Sequence, residues 1–143
     1  MNDDQMVVQE TIFIVLCPVY NAEVTEDPHS EIVIISEPIS TQRVAEMAAE
    51  RFGDMVKAVV DTNRRLLALG GELHSDEEAA LLELGSTQAD LWGINIYPDQ
   101  QRSEWIEFDS LINIRPRLGN RSRGVEDAGT RQLICEIVDS LIR

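Results

Sequence analysis

The stretch "INIRPRLGNRSRG", Ile112 to Gly124, concentrates Arg115, Arg117, Arg121 and Arg123 in thirteen residues of a chain with only 12 Lys and Arg. Arginine's planar fork suits two-pronged contact with a carboxylate or a phosphate. Gly119 and Gly124 let the backbone come close to a ligand. The helix expected after the loop adds unpaired N–H groups and the positive end of a dipole. Together these features point to a site for a small anionic ligand, with Asn113, Arg115, Asn120, Arg121 and Arg123 as binding residues. The competing reading is structural: the arginines neutralise the chain's own carboxylates or meet a second subunit. Glu126 and Asp127, at the start of the expected helix, compete with any bound anion.

A second stretch, "GGELHSDEE", alternates Glu72, His74 and Asp76. A strand through them would project all three to one side. Two carboxylates and an imidazole can ligate a divalent metal ion, or supply a histidine base oriented by an acid. The spacing is no established metal signature, and a histidine beside a helix start also makes local hydrogen bonds. His29 falls in a polar linker and adds nothing to the set. The chain has no phosphate-binding loop, dinucleotide fingerprint or nucleophile elbow.

The elements that must position these groups follow from pattern. "LWGINIYP" and "EWIEFDSLINIRP" read as strands joined by "DQQRS". Ile94 opposite Phe108 and Ile96 opposite Ile106 put Trp92, Ile94, Ile96, Ile106, Phe108, Ile112 and Ile114 on one face. The other face receives Asn95, Tyr97, Trp105, Glu107, Asp109, Leu111, Asn113 and Arg115. A slip of one residue would bury Glu107 and Asp109 as unpaired carboxylates, at several kcal/mol, so that register loses. The polar face is either a solvated exterior or the floor of a pocket in which Asn95 binds ligand while His74, Glu107 and Asp109 act as catalytic acids and bases.

Elsewhere, "EIVIISEP" gives a strand that Pro38 ends, and Ser40 or Thr41 caps a helix to about Phe52 with Val44, Met47, Ala48 and Phe52 on one stripe. Gly53 closes it. "MVKAVVD" and "RRLLALGGELH" around "TNR" suggest a hairpin rather than a continuation of that helix. Ser75 and Glu78 have capping-box spacing before a short helix that Gly85 stops. A helix from about Glu126 to Ile142 closes the chain, with Leu133, Ile134, Ile137, Val138 and Leu141 as its apolar stripe. The fold class expected is α+β: a mostly antiparallel sheet with two main helices and a short third one.

At 143 residues the chain is long enough for one buried core. Residues 31–143 read as that domain, and residues 1–30 as an N-terminal extension or accessory strand. The net charge of −14 opposes nonspecific nucleic-acid binding and docking on an anionic membrane. The apolar run Ile12–Val19 is too short to span a bilayer, and the acidic start lacks a signal peptide's positive charge, so a cytoplasmic protein is expected. Cys17 and Cys135 fit no metal or redox spacing and read as buried reduced thiols.

The blocks "GGELH", "LWGINIYP" and "INIRPRLGNRS" resemble those of a family of small prokaryotic proteins of unknown function, over residues 31–143. The resemblance implies no activity. The residues themselves support two functions: a small-anion-binding domain with hydrolase or transferase chemistry, or a non-enzymatic interaction module, in its simplest form a homodimer.

Overall fold

Apolar side chains on both faces of a strand demand cover on both faces of its sheet. The run Val56–Asp61 is of this kind: Ala58 and Val60 enter one core cluster and Val59 enters another. The computed structural model describes residues 32–143, and the N-terminal expectations, with Cys17 and His29, lie outside them. The described elements are β1 (Val33–Ile35), α1 (Thr41–Arg51), β2 (Val56–Asp61), β3 (Leu66–Leu69), α2 (His74–Glu83), β4 (Leu91–Ile96), β5 (Ile106–Glu107) and α3 (Ala128–Leu141). The strands form one antiparallel sheet in the order β1-β3-β2-β4-β5. This is an α+β fold. The larger cluster packs Val44, Met47 and Ala48 of α1 and Ile134, Ile137, Val138 and Leu141 of α3 on one face of the sheet. The smaller cluster packs Leu81 of α2 with Val59, Ala68 and Leu91 on the other.

Local chemistry sets the boundaries. The Ser40 side chain accepts the Arg43 N–H and starts α1, and Gly53, at φ +97°, follows its end. In the β2–β3 turn the buried Asp61 carboxylate accepts the N–H groups of Asn63 and Arg64, at 2.9 and 2.8 Å. The hairpin expected around "TNR" is therefore present. α3 begins at Ala128, with Asp127 as its capping residue.

Several expectations are corrected. No strand runs through Glu72–Asp76, because α2 starts at His74. The Ser75–Glu78 capping box does not form: Leu73 precedes the helix without a side-chain cap, and Glu78 is drawn to Arg115. Phe52 is exposed, with the Lys57 ammonium 5.4 Å from its ring centroid. The strand expected to run to Arg115 ends at Glu107, and Leu111–Asn113 form a 3-10 turn. The register holds where β5 exists, with Ile96 opposite Ile106 and Asn95 opposite Glu107. Beyond it the facing changes: Ile112 packs on the smaller cluster and Ile114 is exposed. Trp105 is buried, because it precedes the strand in helical conformation and escapes the alternation. Its indole N–H donates to the Gln100 carbonyl. Cys135 is free and half-buried.

Gly93 in β4 marks a close approach. A Cβ there would stand 2.6 Å from both Cβ and Oγ of the buried Ser110 and 3.2 Å from Ile112 Cγ1. We expect Gly93→Ala to destabilise the fold by about 1–3 kcal/mol, as overpacking does. Urea unfolding would read it, and an unchanged midpoint would show that Ser110 yields freely.

Candidate functional site

Where β5 stops, the edge of β4 is left with unpaired backbone. Asn113 fills the gap. Its Oδ1 accepts the Gly93 N–H at 2.8 Å and its Nδ2 donates to the Gly93 carbonyl at 3.0 Å. A single buried carboxamide thus gives Gly93 the two bonds that a neighbouring strand would have given. The same Nδ2 donates to the Arg123 carbonyl, drawing the arginine loop back onto the sheet.

Asn120 does the complementary task inside the loop. Its Nδ2 donates to the carbonyls of Asn113, Ser122 and Gly124, and its Oδ1 accepts the Glu126 N–H at 2.8 Å. Gly119 precedes it at φ +83°, closing the 3-10 turn Pro116–Leu118. Asn113 and Asn120, two of the three asparagines expected to bind ligand, are buried and hold backbone.

The arginines divide. Arg115 reaches α2, its Nη2 lies 3.3 Å from Glu78 Oε2, and the two side chains are only 11% and 12% exposed. Its guanidinium also stands 5.1 Å from the Trp92 ring centroid, within cation–π range. Arg123 Nε lies 2.5 Å from Asp109 Oδ1. The Arg121 and Ser122 N–H groups, the natural cradle for an anion, both donate to Glu126 Oε2, at 3.0 and 2.9 Å. Hydrogen bonds from Ser122 and the Arg121 N–H hold the Glu126 carboxyl below its ordinary pKa. The guanidinium groups of Arg117 and Arg121 make no hydrogen bond or ion pair among the described residues.

His74, Asn95, Glu107 and Asp109 are brought together under the start of α2. His74 Nε2 lies 2.8 Å from the Ile94 carbonyl, which can only accept, so we assign the proton to Nε2 and the lone pair to Nδ1. Burial lowers its pKa and keeps the ring neutral, against the opposing influence of the Ile94 bond, Asn95 and Asp109. Asn95 Nδ2 donates to Glu107 Oε1 at 2.9 Å and to the Asp109 carbonyl, while Tyr97 OH donates to Glu107 at 3.1 Å. A polar chain therefore runs from Tyr97 through the exposed Glu107 carboxylate to the buried Asn95 carboxamide, while His74 is held by the Ile94 carbonyl.

The metal set Glu72, His74 and Asp76 is not assembled. Glu72 is exposed before the helix, and His74 and Asp76 stand two apart in its first turn, a spacing that does not share a face. Among the described residues no three His, Cys, Asp or Glu side chains are grouped to hold a metal ion.

Sequence reasoning missed Glu77. It is fully buried, accepts the Gly71 N–H on Oε2 at 2.8 Å, and has no partner for Oε1 among the described residues. Burial pushes its pKa well above the ordinary carboxylate value, Asp76 adds to this, and the Gly71 bond, Lys57 and Arg51 oppose it. One signal was present. A Cβ on Gly71 would lie 2.9 Å from Glu77 Cγ, so the second glycine of "GGELH" makes room for this side chain.

The profile of a family described as a protein of unknown function (DUF5674) matches residues 33–141. The chain belongs to that family. The arginine loop and the polar chain both lie inside the span shared with DUF5674, as parts of the domain. No curated protein and no solved structure matches the chain. Among the described residues no helix is long and apolar enough to cross a membrane.

Two outcomes follow from the geometry. Asn113→Ala strands the Gly93 N–H and carbonyl, and we expect a loss of about 2–6 kcal/mol in urea unfolding, from about 1–3 kcal/mol for each of the two buried orphans. A loss below about 1 kcal/mol would mean that water replaces the carboxamide. For Glu77 the sign runs one way. The unfolded chain releases this proton above its ordinary pKa of 4.5 while the fold retains it, so stability falls as pH rises from there, by at most about 1.4 kcal/mol per pH unit. His74 acts oppositely, costing stability as pH falls below 6.5. Glu77→Gln, a mimic of the protonated side chain, should match the native chain at pH 4 and exceed it at pH 8. Equal unfolding midpoints at pH 8 would contradict a neutral Glu77.

Proposed function

We propose that the domain is a protein-interaction module that docks its partner on the outer side of the arginine loop. One observation carries the reading. Leu111, Ile114 and Leu118 are 66%, 41% and 53% exposed, on a loop that buried asparagines hold rigid. Isolated exposed leucines are ordinary, but three within eight residues make an apolar patch. Leu82 of α2 is exposed as well, one turn beyond Glu78 on the helix face that meets Arg115. Arg117 and Arg121, without ion pairs among the described residues, supply the arginines that interfaces favour. A surface fixed before binding loses little entropy on binding.

The small-anion reading, with hydrolase or transferase chemistry, has Arg117 and Arg121, without ion pairs among the described residues, in its favour. Against it, the N–H cradle is taken by Glu126, and Arg115 and Arg123 already face carboxylates. The carboxylate of Glu126 would have to leave before a phosphate could take its position.

The experiment compares the native chain with Leu111→Ser/Leu118→Ser and with Arg117→Ala/Arg121→Ala. All four positions are exposed, so thermal midpoints should be unchanged. We expect a protein that co-purifies with the native chain at defined stoichiometry to fall at least tenfold with either variant, the equivalent of about 1.4 kcal/mol. A thermal shift with millimolar phosphate or nucleotide that Arg121→Ala abolishes would overturn this reading in favour of the anion site.

A further inference from the structure

Resting on the docking reading, we infer that the partner on this face is a second copy of the chain, with α2 of each copy set against the arginine loop of the other. The placement of exposed apolar side chains is the first argument. Among the described residues seven large ones are exposed, and six of them belong to one side of the sheet. Leu73, Leu82 and Leu84 lie on α2 and its flanks, and Leu111, Ile114 and Leu118 on the loop. Phe52, the seventh, ends α1 and meets Lys57. The core beneath accounts for the asymmetry. Nineteen buried residues form the cluster that α1 and α3 cover, but only four, Val59, Ala68, Leu81 and Leu91, form the one under α2. A helix of 10 residues that buries one apolar side chain is a thin outer layer. Two such layers packed on each other give each sheet a fuller cover.

Charge selects a second copy over a foreign partner. Residues 66–101 contain no Lys or Arg, and Glu72, just before α2, and Glu83, its last residue, are exposed. The loop presents Arg117 and Arg121. Each half also holds one group of the other sign: Arg64, which donates to the Leu84 carbonyl, and Glu126, which accepts the Arg121 N–H. On balance one half is acidic and the other basic, with leucines in both. A two-fold axis between them brings each half onto its complement in the other copy, the self-complementarity that an isologous interface requires. A partner of uniform charge would suit one half and be repelled by the other. The net charge of −14 opposes association of two copies, so apolar contact supplies the affinity and the local charges the orientation.

The area is adequate. A stable interface buries about 800 Å² per partner, a little over half of it apolar. Six leucine and isoleucine side chains, each roughly half exposed, provide apolar area of that order.

The test uses the full chain in sedimentation equilibrium at about 100 μM, where a micromolar dissociation constant keeps most copies paired. We expect a mass twice the 16.1 kDa of one chain. Leu82→Ser/Leu118→Ser should weaken pairing at least tenfold with an unchanged circular dichroism spectrum. Glu83→Arg and Arg117→Glu should each weaken it several-fold. The double variant Glu83→Arg/Arg117→Glu should restore it, because the exchanged charges again meet across the axis. A monomer at this concentration overturns the inference, and so does a dimer that none of these variants weakens. Single variants that weaken pairing without restoration by the double one overturn the placement of α2 against the loop. A monomer that captures a different protein, lost with Leu111→Ser/Leu118→Ser, would leave the docking face standing and remove only the second copy as its occupant.

Discussion

The pairing of Gly93 with the Asn113 carboxamide is the contact on which the rest of this face depends. A five-stranded sheet whose last strand is two residues long leaves most of the outer edge of β4 without a strand beside it, although β2 pairs with its whole inner edge. Every unpaired N–H and carbonyl there would be a buried orphan or an invitation to another chain's edge. Asn113 closes the edge at Gly93 with a side chain. The backbone after β5 is then free to turn outwards, and it becomes a loop. Gly93 itself must lack a Cβ so that Ser110 can pass close enough for the exchange.

Once the loop exists, its charges must be settled. An acidic protein has carboxylates to spare: Glu78 from α2 pairs with Arg115, Asp109 from the segment after β5 pairs with Arg123, and Glu126 just before α3 takes the Arg121 and Ser122 N–H groups. The Arg115–Glu78 pair is the most consequential because it is nearly sealed from water. Removing either partner would leave the other charge buried alone, which costs more than the pair gains. The pair therefore fixes the position of α2 relative to the loop more than it adds net stability. Arg117 and Arg121 stay outside this accounting, next to the exposed leucines.

Much of this was legible in the amino-acid order, and the failures share one cause. The β4–β5 register could be read because one alternative buried Glu107 and Asp109. α1 could be read from its apolar stripe and its serine cap, and α3 from its apolar stripe, although Asp127, expected inside its first turn, caps it instead. The loop's rivalry with Glu126 was legible from its position at a helix start, although the N–H cradle it fills was not. The arginine partners were not legible: Arg115 and Glu78 lie 37 residues apart, and nothing local selects that carboxylate over the others. Ser75 and Glu78 had the right spacing for a cap, but a distant guanidinium took Glu78 away. Asn113 was expected to face a ligand, because strand alternation was carried past the point where Ser110 turns the chain and its Oγ accepts the Ile112 N–H.

α2 shows how far polar groups can replace apolar ones in docking an element. Three of its residues are buried, His74, Glu77 and Leu81, and only the last is apolar. A helix held by hydrophobic area alone would need a broader stripe. Here the imidazole is fixed by one carbonyl and the carboxyl by one N–H, both on the protein's own backbone. Such bonds are directional, so α2 can sit in only one rotation about its axis. That rotation turns Glu78 towards Arg115 and Leu82 outwards beside the loop. The exposed face is thus set from beneath: two buried ionisable side chains under the helix determine which residues appear above it. A solvent condition that charges either of them acts on the docking surface without touching any residue of that surface.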